Sequence, residues 1–282
     1  MNHRTGAALA ALGLALALPA CGSDDEESSG GGSSSSKPAA FKVTVGDAAK
    51  GKSTIEAPKT VKAGLVEVSV ENTGKRPHDA QIIGVDGDQT AQQVTKVVSS
   101  EGGPLPQWLH GGGGVGTVNP GQSASATDLL EPGRYFVMDT DGGASAEFEV
   151  TGEASDAELP STPATITTKE YGFETSGLKA GKQKITFDNA GKELHHVIAV
   201  PYAKGATFAD VKKFVSSEEE PSGPPPVDFE GGTGTTVLDG GQKQVAELEF
   251  KKGKYAFVCF IQDRKGGPPH VAKGMVQEVE VR

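Results

Sequence analysis

Short runs of alternating apolar and polar residues cover most of the chain, and this pattern predicts β-strands. Five runs show the period of two most clearly, at 65–70, 146–150, 184–187, 245–250 and 276–281. Glycine and proline separate the runs at short intervals, as is typical of sandwiches with tight turns. We therefore predict an all-β fold of Greek-key β-sandwiches.

Two segments depart from this alternation, and each predicts one short helix inserted among the strands. Apolar residues recur at helical spacing within 208–216, and Thr207 precedes them as a candidate N-cap. Thr90 stands in the same way before the apolar positions of 94–98. The two segments also match each other in sequence, which indicates an internal repeat.

Longer comparison of the chain with itself supports a tandem repeat. His78 follows the sequence Asn-Thr-Gly-Lys-Arg-Pro, and His195, 117 residues later, follows Asn-Ala-Gly-Lys-Glu-Leu. A strand that begins with Gly-Arg-Tyr in the first copy recurs as Gly-Lys-Tyr 120 residues later. We predict two copies of one domain, at 41–152 and 164–282, joined by a linker at 153–163.

The N-terminus predicts export and a lipid anchor. Arg4 precedes an Ala/Leu-rich run that is too short for a transmembrane span, and small residues lead to Cys21. This arrangement resembles a bacterial lipobox, which implies a lipoprotein signal peptide at 1–20, a lipidated Cys21 and an extracytoplasmic protein held on the cell membrane. An ordinary signal peptide is the alternative. Residues 21–40, acidic and then rich in Gly and Ser, predict a flexible tether.

Charge and cysteine count narrow the range of functions. The chain has 27 basic and 37 acidic residues, and a net charge of −10 argues against nucleic acid as a partner. If Cys21 carries lipid, Cys259 is the one thiol left, and no internal disulfide can form. An unpaired cysteine in an exported protein is a buried apolar residue, a link to another chain or a metal ligand.

The residues around Cys259 favour a metal ligand. Cys259 ends an apolar strand, and His270 and Met275 follow across a Gly/Pro-rich loop. Thiolate, imidazole and thioether form a soft ligand set that favours copper. His195 or its neighbour His196 could supply a second imidazole, and the repeat alignment favours His195. The alternatives are a metal-free core thiol and a pair of histidines in a surface turn.

The order of these residues resembles the cupredoxin, or type 1 blue-copper, family. In that family one histidine follows an Asn-x-Gly turn, and cysteine, a second histidine and methionine share a late loop. The resemblance implies one copper ion, held by His195, Cys259 and His270, with Met275 as a weak axial ligand. Ten residues separate Cys259 from His270, more than is usual in the family and similar to copper nitrite reductases. The family also implies that the loop histidine lies near the surface in an apolar patch, for which 224–226 and 266–269 are candidates.

The first copy lacks the same donors. Asp139 stands where Cys259 stands, and neither histidine nor methionine follows it before the next strand. We interpret this copy as a metal-free domain in which His78 has no partners. Trp108 and His110 lie in a Gly-rich stretch, interpreted as a packed tryptophan beside an exposed loop histidine, with a binding surface as the alternative.

These observations predict a membrane-tethered copper protein that carries single electrons to or from an unidentified protein partner. An enzyme is not expected, because copper oxidases and nitrite reductases need further histidines, commonly as His-x-His pairs, and the sequence contains no such pair. Two alternatives stay open: a protein that stores copper or exchanges it with a partner protein, and a metal-free envelope module that binds protein or glycan.

Overall fold

The computed structural model describes residues 37–100, 102–217 and 223–282, and these residues form mainly strands. The strands of the N-terminal half are β1 (Ala39–Asp47), β2 (Ser53–Glu56), β3 (Thr60–Lys62), β4 (Gly64–Asn72), β5 (His78–Val85), β6 (Leu109–Val118), β7 (Ser123–Leu130), β8 (Gly133–Met138) and β9 (Ser145–Thr151). Those of the C-terminal half are β10 (Ala164–Lys169), β11 (Gly172–Ser176), β12 (Gly181–Asn189), β13 (Ile198–Pro201), β14 (Thr233–Gly234), β15 (Lys243–Phe250), β16 (Gly253–Val258) and β17 (Val276–Val281). The helices are α1 (Ala91–Val98) and α2 (Phe208–Val215), with 3₁₀ turns at Ala49–Gly51 and His270–Lys273.

The N-terminal half is a two-sheet sandwich. One sheet has the order β2-β1-β4-β7, and the other has the order β3-β9-β8-β5-β6. The alternation of each strand turns one face of each sheet inward, where apolar side chains from both sheets form one core. Its fully buried members include Phe41, Val43, Val66, Val68, Ile82 and Val137.

The C-terminal half repeats this arrangement, except that none of its described strands corresponds to β3. Its sheets have the orders β11-β10-β12-β15 and β14-β13-β16-β17. β10 runs parallel to β12 as β1 runs parallel to β4, and β16 pairs antiparallel with β13 and β17 as β8 pairs with β5 and β9. The predicted all-β fold of two tandem sandwiches, each with one short helix, is therefore confirmed.

The two halves share a sheet. β7 pairs antiparallel with β15, which joins four strands of each half into one eight-stranded sheet. The described residues accordingly belong to one compact unit. The domain limits at 41–152 and 164–282 stay predictions, as does the linker at 153–163.

Both helices begin at the predicted caps. The side chain of Thr207 accepts the Asp210 amide while the Asp210 carboxylate accepts the Thr207 amide, and Thr90 forms the same reciprocal pair with Gln93. Such a capping box satisfies amides that the first helical turn leaves free. Capping therefore fixes where each short helix starts.

The Gly-rich stretch that was predicted as a loop is strand β6. A Cβ on Gly114 would lie 2.1 Å from the carbonyl oxygen of Ala80, and one on Gly116 would lie 2.3 Å from that of Gly234. Glycine is needed here because the backbone of β6 lies this close to its neighbours. His110 is consequently a half-buried strand residue rather than a loop residue, and Trp108 packs in an apolar cluster beside it.

The N-terminal predictions lie outside the described residues. This applies to the signal peptide at 1–20, to Cys21 and to all of the tether except residues 37–40. Among the described residues, no helix has the length and apolar character needed to cross a bilayer.

Candidate metal centre

His195 is held in place by the turn that precedes it. The side chain of Asn189 accepts the Gly191 amide and donates to the carbonyl oxygens of Glu193 and Leu238. The backbone of His195 then exchanges two hydrogen bonds with Leu238, of 3.1 and 2.9 Å. The Asn-x-Gly sequence therefore builds a rigid turn that ends at this histidine.

Cys259 and His270 are brought together by the ends of one loop. Cys259 directly follows β16, and its carbonyl oxygen accepts the Val271 amide at 2.8 Å. The His270 amide donates to the carbonyl oxygen of Ile261, also at 2.8 Å. These two bonds close residues 260–269, here named the ligand loop, so that its length does not separate the two side chains.

Three donor atoms converge in this region. The Sγ atom of Cys259 lies 3.7 Å from Nδ1 of His195 and 3.5 Å from Nδ1 of His270, and the two Nδ1 atoms lie 3.1 Å apart. All three side chains are fully buried. A triangle with these sides has a circumscribed circle of about 2 Å radius, which is the length of a bond from a transition metal to nitrogen.

The protonation pattern also fits a cation between the three atoms. Nε2 of His270 lies 3.0 Å from Oδ1 of Asp263, so Nε2 donates its proton there and Nδ1 presents a lone pair. Burial raises the pKa of Asp263, but hydrogen bonds from Lys273, Tyr171 and His270 outweigh it and leave the pKa lowered. The carboxylate is therefore ionised, and His270 directs a lone pair into the cluster, where it can accept a hydrogen bond or bind a cation.

Burial shifts the pKa of each donor away from the charged form. It lowers the pKa of His195 to about 4, with help from the nearby His270. It also lowers the pKa of His270, against the opposing effect of Asp263. Burial raises the pKa of the Cys259 thiol to about 12. At neutral pH both imidazoles are thus neutral, as metal binding requires, and the thiol still carries a proton.

His196 does not join the cluster. Its Nε2 accepts a hydrogen bond from the Phe260 amide at 2.9 Å, and the two rings meet edge to face. The structure thus brings His195, and not His196, together with Cys259 and His270. His196 instead ties the chain just after Cys259 to the turn that carries His195.

Met275 lies in the same apolar core cluster as Cys259 and is fully buried. Its amide donates to the carbonyl oxygen of His270 at 2.9 Å, and Gly274 before it has a φ of +98°, the left-handed conformation that glycine adopts readily. This turn keeps Met275 next to the ligand loop. Its role as axial ligand stays a prediction.

A network behind His270 was missed by the sequence analysis. Asp263 accepts hydrogen bonds from His270, Tyr171 and Lys273, and the Tyr171 ring lies 4.9 Å from the His270 ring, centroid to centroid. A carboxylate on the outer nitrogen of a ligating histidine fixes the ring and its tautomer. No sequence signal points to Tyr171, which comes from a different sheet, although Asp263 and Lys273 flank His270 closely.

The surroundings of His270 differ from those that the family resemblance implies. Its imidazole is fully buried rather than near the surface, because Tyr171 and Asp263 cover its outer edge. The prolines of 266–269 therefore do not surround an exposed histidine edge.

The equivalent position in the N-terminal half holds a carboxylate that is hydrogen-bonded to a histidine. Asp139 directly follows β8, as Cys259 follows β16, and its Oδ2 lies 2.9 Å from Nδ1 of His78. Nε2 of His78 lies 3.2 Å from Oδ1 of Asp47. His78 thus contacts a carboxylate at each ring nitrogen, which the sequence did not indicate, and the interpretation of this half as metal-free stays a prediction.

Comparisons with known proteins add little. No protein-family model and no curated protein matches the chain. Among solved structures it is similar to dithionite-reduced auracyanin of Roseiflexus castenholzii (16% identity, 42% of this chain and 94% of auracyanin, TM-score 0.27). It is also similar to a multicopper oxidase (16%, 86% and 88%, TM-score 0.23) and to the copper nitrite reductase of Nitrosomonas europaea (17%, 86% and 94%, TM-score 0.24). Identities and TM-scores this low do not support an argument about function.

The molecule combines a tandem two-sheet sandwich with a buried His-Cys-His cluster at the end of the second sandwich. This combination agrees with the β-sandwich fold and the donor cluster that the resemblance to cupredoxins implies. The donor set of one thiolate and two imidazoles can hold one copper ion.

Proposed function

We propose that this protein is a one-electron carrier with a type 1 copper site in its C-terminal half. His195, Cys259 and His270 would hold the ion, and Met275 would be a further, weaker ligand. The observation that carries the proposal is the convergence of three fully buried donor atoms within 3.1 to 3.7 Å of one another. A soft donor set of this composition is that of blue-copper electron-transfer sites.

The surrounding residues supply rigidity and exclude water. A copper ion bound here would accept one electron from an external donor and release it to an external acceptor. The turn of Asn189 holds His195, the ligand loop joins Cys259 to His270, and Asp263 holds the outer nitrogen of His270. Donors fixed on both sides in a dry site need little rearrangement when the charge at the site changes.

Phe260 is a candidate exit for the electron. It directly follows Cys259 in the chain, and its side chain is 44% exposed, whereas His270 is fully buried. Its amide is fixed by the hydrogen bond to His196. We therefore assign electron exchange with a partner protein to the surface around Phe260.

A carrier fits this chain better than an enzyme. The described residues contain one cluster of three or more potential metal ligands, namely the three donors above. A second, catalytic copper site would need further imidazoles, and the sequence has six histidines in all. The proposal includes a lipid anchor at Cys21 on the outer side of the cell membrane, which follows from the sequence pattern alone.

Addition of copper(II) to the purified protein without oxygen tests the proposal. We expect an intense visible band from thiolate-to-copper charge transfer that vanishes in Cys259→Ala. Cys21→Ser is the matched control, because it removes the other cysteine of the chain and should keep the band. Tight copper binding without such a band would contradict the proposal.

The two alternatives predict different properties of the protein. Storage or delivery of copper would favour a loose ligand loop, whereas this loop is bonded at both ends and along its length. A metal-free binding module would show no change in thermal stability when copper is added.

A further inference from the structure

The ligand loop also contacts the N-terminal half, through residues 102–109, here named the clamp segment. The Leu105 amide donates to the carbonyl oxygen of Arg264 at 2.9 Å, and the Gly267 amide donates to that of Gly102 at 3.1 Å. The side-chain amide of Gln262 donates to the carbonyl oxygen of Gly103, also at 3.1 Å. The middle of the ligand loop is thus bonded to the other half of the molecule.

Close backbone approach accompanies these bonds. Gly266 has a φ of +83°, and a Cβ at this position would lie 3.0 Å from the carbonyl oxygen of Gly102 and 3.1 Å from the nitrogen of Pro104. Glycine permits both the conformation and the contact. The sequence of the ligand loop is therefore suited to lie against the clamp segment.

Arg264 is the centre of this contact. Its Nη1 donates to the carbonyl oxygens of Pro106 and Leu109 at 3.1 and 3.0 Å, and its Nη2 lies 2.6 Å from Oδ1 of Asp239. Its amide donates to the carboxylate of Glu193 at 2.7 Å. The side chain is only 16% exposed, and its planar fork reaches three acceptors that a lysine could not reach together.

Asp239 extends the contact into β6. Its Oδ2 lies 3.0 Å from Nδ1 of His110, and its Oδ1 accepts the Gly111 amide at 3.2 Å. Asp239 thus binds Arg264 of the ligand loop and, at the same time, His110 and Gly111 of the N-terminal half. The side chain of Ile261 adds apolar contact, because it packs against core clusters of both halves.

The opposite side of the ligand loop contacts the donor His270. Ile261 accepts the His270 amide, and Asp263 binds the His270 ring, so the residues on both sides of Gln262 contact this ligand. Arg264 follows directly. A shift of Arg264 would therefore move the groups that fix His270.

We propose that the N-terminal half clamps the ligand loop and that Arg264 is the positioning residue that sets the arrangement of Cys259 and His270. This assigns the metal-free half a role in the site of the other half. The proposal deepens the proposed function, but its first test needs no copper.

The test uses the copper-free full-length chain with Arg264→Ala and Arg264→Lys. Alkylation of Cys259 and hydrogen exchange of the ligand loop are followed by peptide mass spectrometry. We expect Cys259 to react at least tenfold faster in Arg264→Ala, and clearly faster in Arg264→Lys, while exchange in β16 stays unchanged. If Arg264→Ala does not fold, the same two measurements on Arg264→Lys and Gln262→Ala test the proposal.

Arg134→Ala is the matched control. Arg134 also binds a carboxylate, that of Glu147, and a carbonyl oxygen, that of Gly87, but it lies in β8 outside the clamp contact. The alkylation rate of Cys259 in Arg134→Ala should stay within twofold of that in the unchanged protein. The proposal is overturned if the alkylation rate of Cys259 in Arg264→Ala also stays within twofold. It is equally overturned if hydrogen exchange in this variant accelerates as much in β16 as in the ligand loop.

Copper loading supplies the second readout. We expect the thiolate-to-copper band to shift or lose intensity in Arg264→Lys and to be unchanged in Arg134→Ala. If the unchanged protein shows no band at all, the electron-carrier function fails, and the alkylation and exchange rates still decide the clamp. An unaltered band in Arg264→Lys would contradict the positioning role.

Discussion

Burial acts in opposite directions on the donor side chains. It keeps the imidazoles of His195 and His270 neutral, and it keeps the proton on the thiol of Cys259, whose pKa it raises to about 12. The imidazoles are therefore ready for a metal ion, whereas the thiol must first release its proton. Copper binding to this cluster at neutral pH would displace about one proton for this reason.

Phe260 can be tested separately from the ligands. Phe260→Ala should slow electron exchange with a small redox reagent or a partner protein severalfold, because the exposed ring next to Cys259 is removed. The visible band and the copper content should not change. Phe229→Ala is the control, since Phe229 is 60% exposed but is not adjacent to a proposed ligand. Equal rates in both variants would rule out the route through Phe260.

Among the strands, β6 shows how contact between elements overrides local preference. Its glycines disfavour a strand in isolation, yet they let the chain lie against β5 and against the second half. The strand forms because its neighbours supply hydrogen bonds that no side chain obstructs.

This explanation predicts a difference between two glycines with positive φ. Gly114→Ala should lower the free energy of unfolding by about 3 kcal/mol or more, because its Cβ would lie 2.1 Å from the Ala80 carbonyl oxygen. Gly121→Ala, at a φ of +70° with nothing within 4 Å, should cost only about 1 kcal/mol of backbone strain. Urea denaturation measures both. Equal losses would show that backbone strain alone matters at Gly114.

The elements that sequence analysis predicted correctly are those with local causes. The alternation of 245–250 and the cap at Thr207 depend on neighbours along the chain, and both appear in the structure. β6 could not be predicted, because its cause lies in the carbonyl groups of other strands.

The same distinction holds at the site. The three donors could be found from sequence, since spacing and residue type mark them. The ring of Tyr171 over His270 and the contact of Arg264 with the clamp segment could not, because each joins residues about a hundred or more positions apart that only the folded chain brings together. The sequence analysis expected His270 near the surface, because the contact with Tyr171 that helps to bury it could not be predicted.

The junction of the two halves contains a titratable group that makes the whole molecule sensitive to pH. Asp128 of β7 is almost fully buried, and burial raises its pKa to about 8, although it accepts the Gly114 amide and the side-chain amide of Gln244 from β15. In the unfolded chain its pKa is near 4. Between these values the folded protein binds the extra proton, so stability falls as pH rises from about 4 to about 8.

Urea denaturation at several pH values tests this effect. The contribution of Asp128 should approach a loss of about 1.4 kcal/mol per pH unit within this window. Asp128→Asn has no group to titrate there, so its stability relative to that of the unchanged protein should rise toward pH 8. A difference that is independent of pH would contradict the raised pKa.

The contacts of His78 with Asp139 and Asp47 have a consequence for how the two sandwiches respond to metal supply. The first sandwich joins its histidine to two carboxylates by hydrogen bonds that need no ion. The second brings two imidazole nitrogens and a thiol within hydrogen-bond distance of one another, and an ion bound there would add stronger bonds to all three. Starvation for copper would therefore loosen the molecule from one end, while the other half goes on serving as a fixed frame.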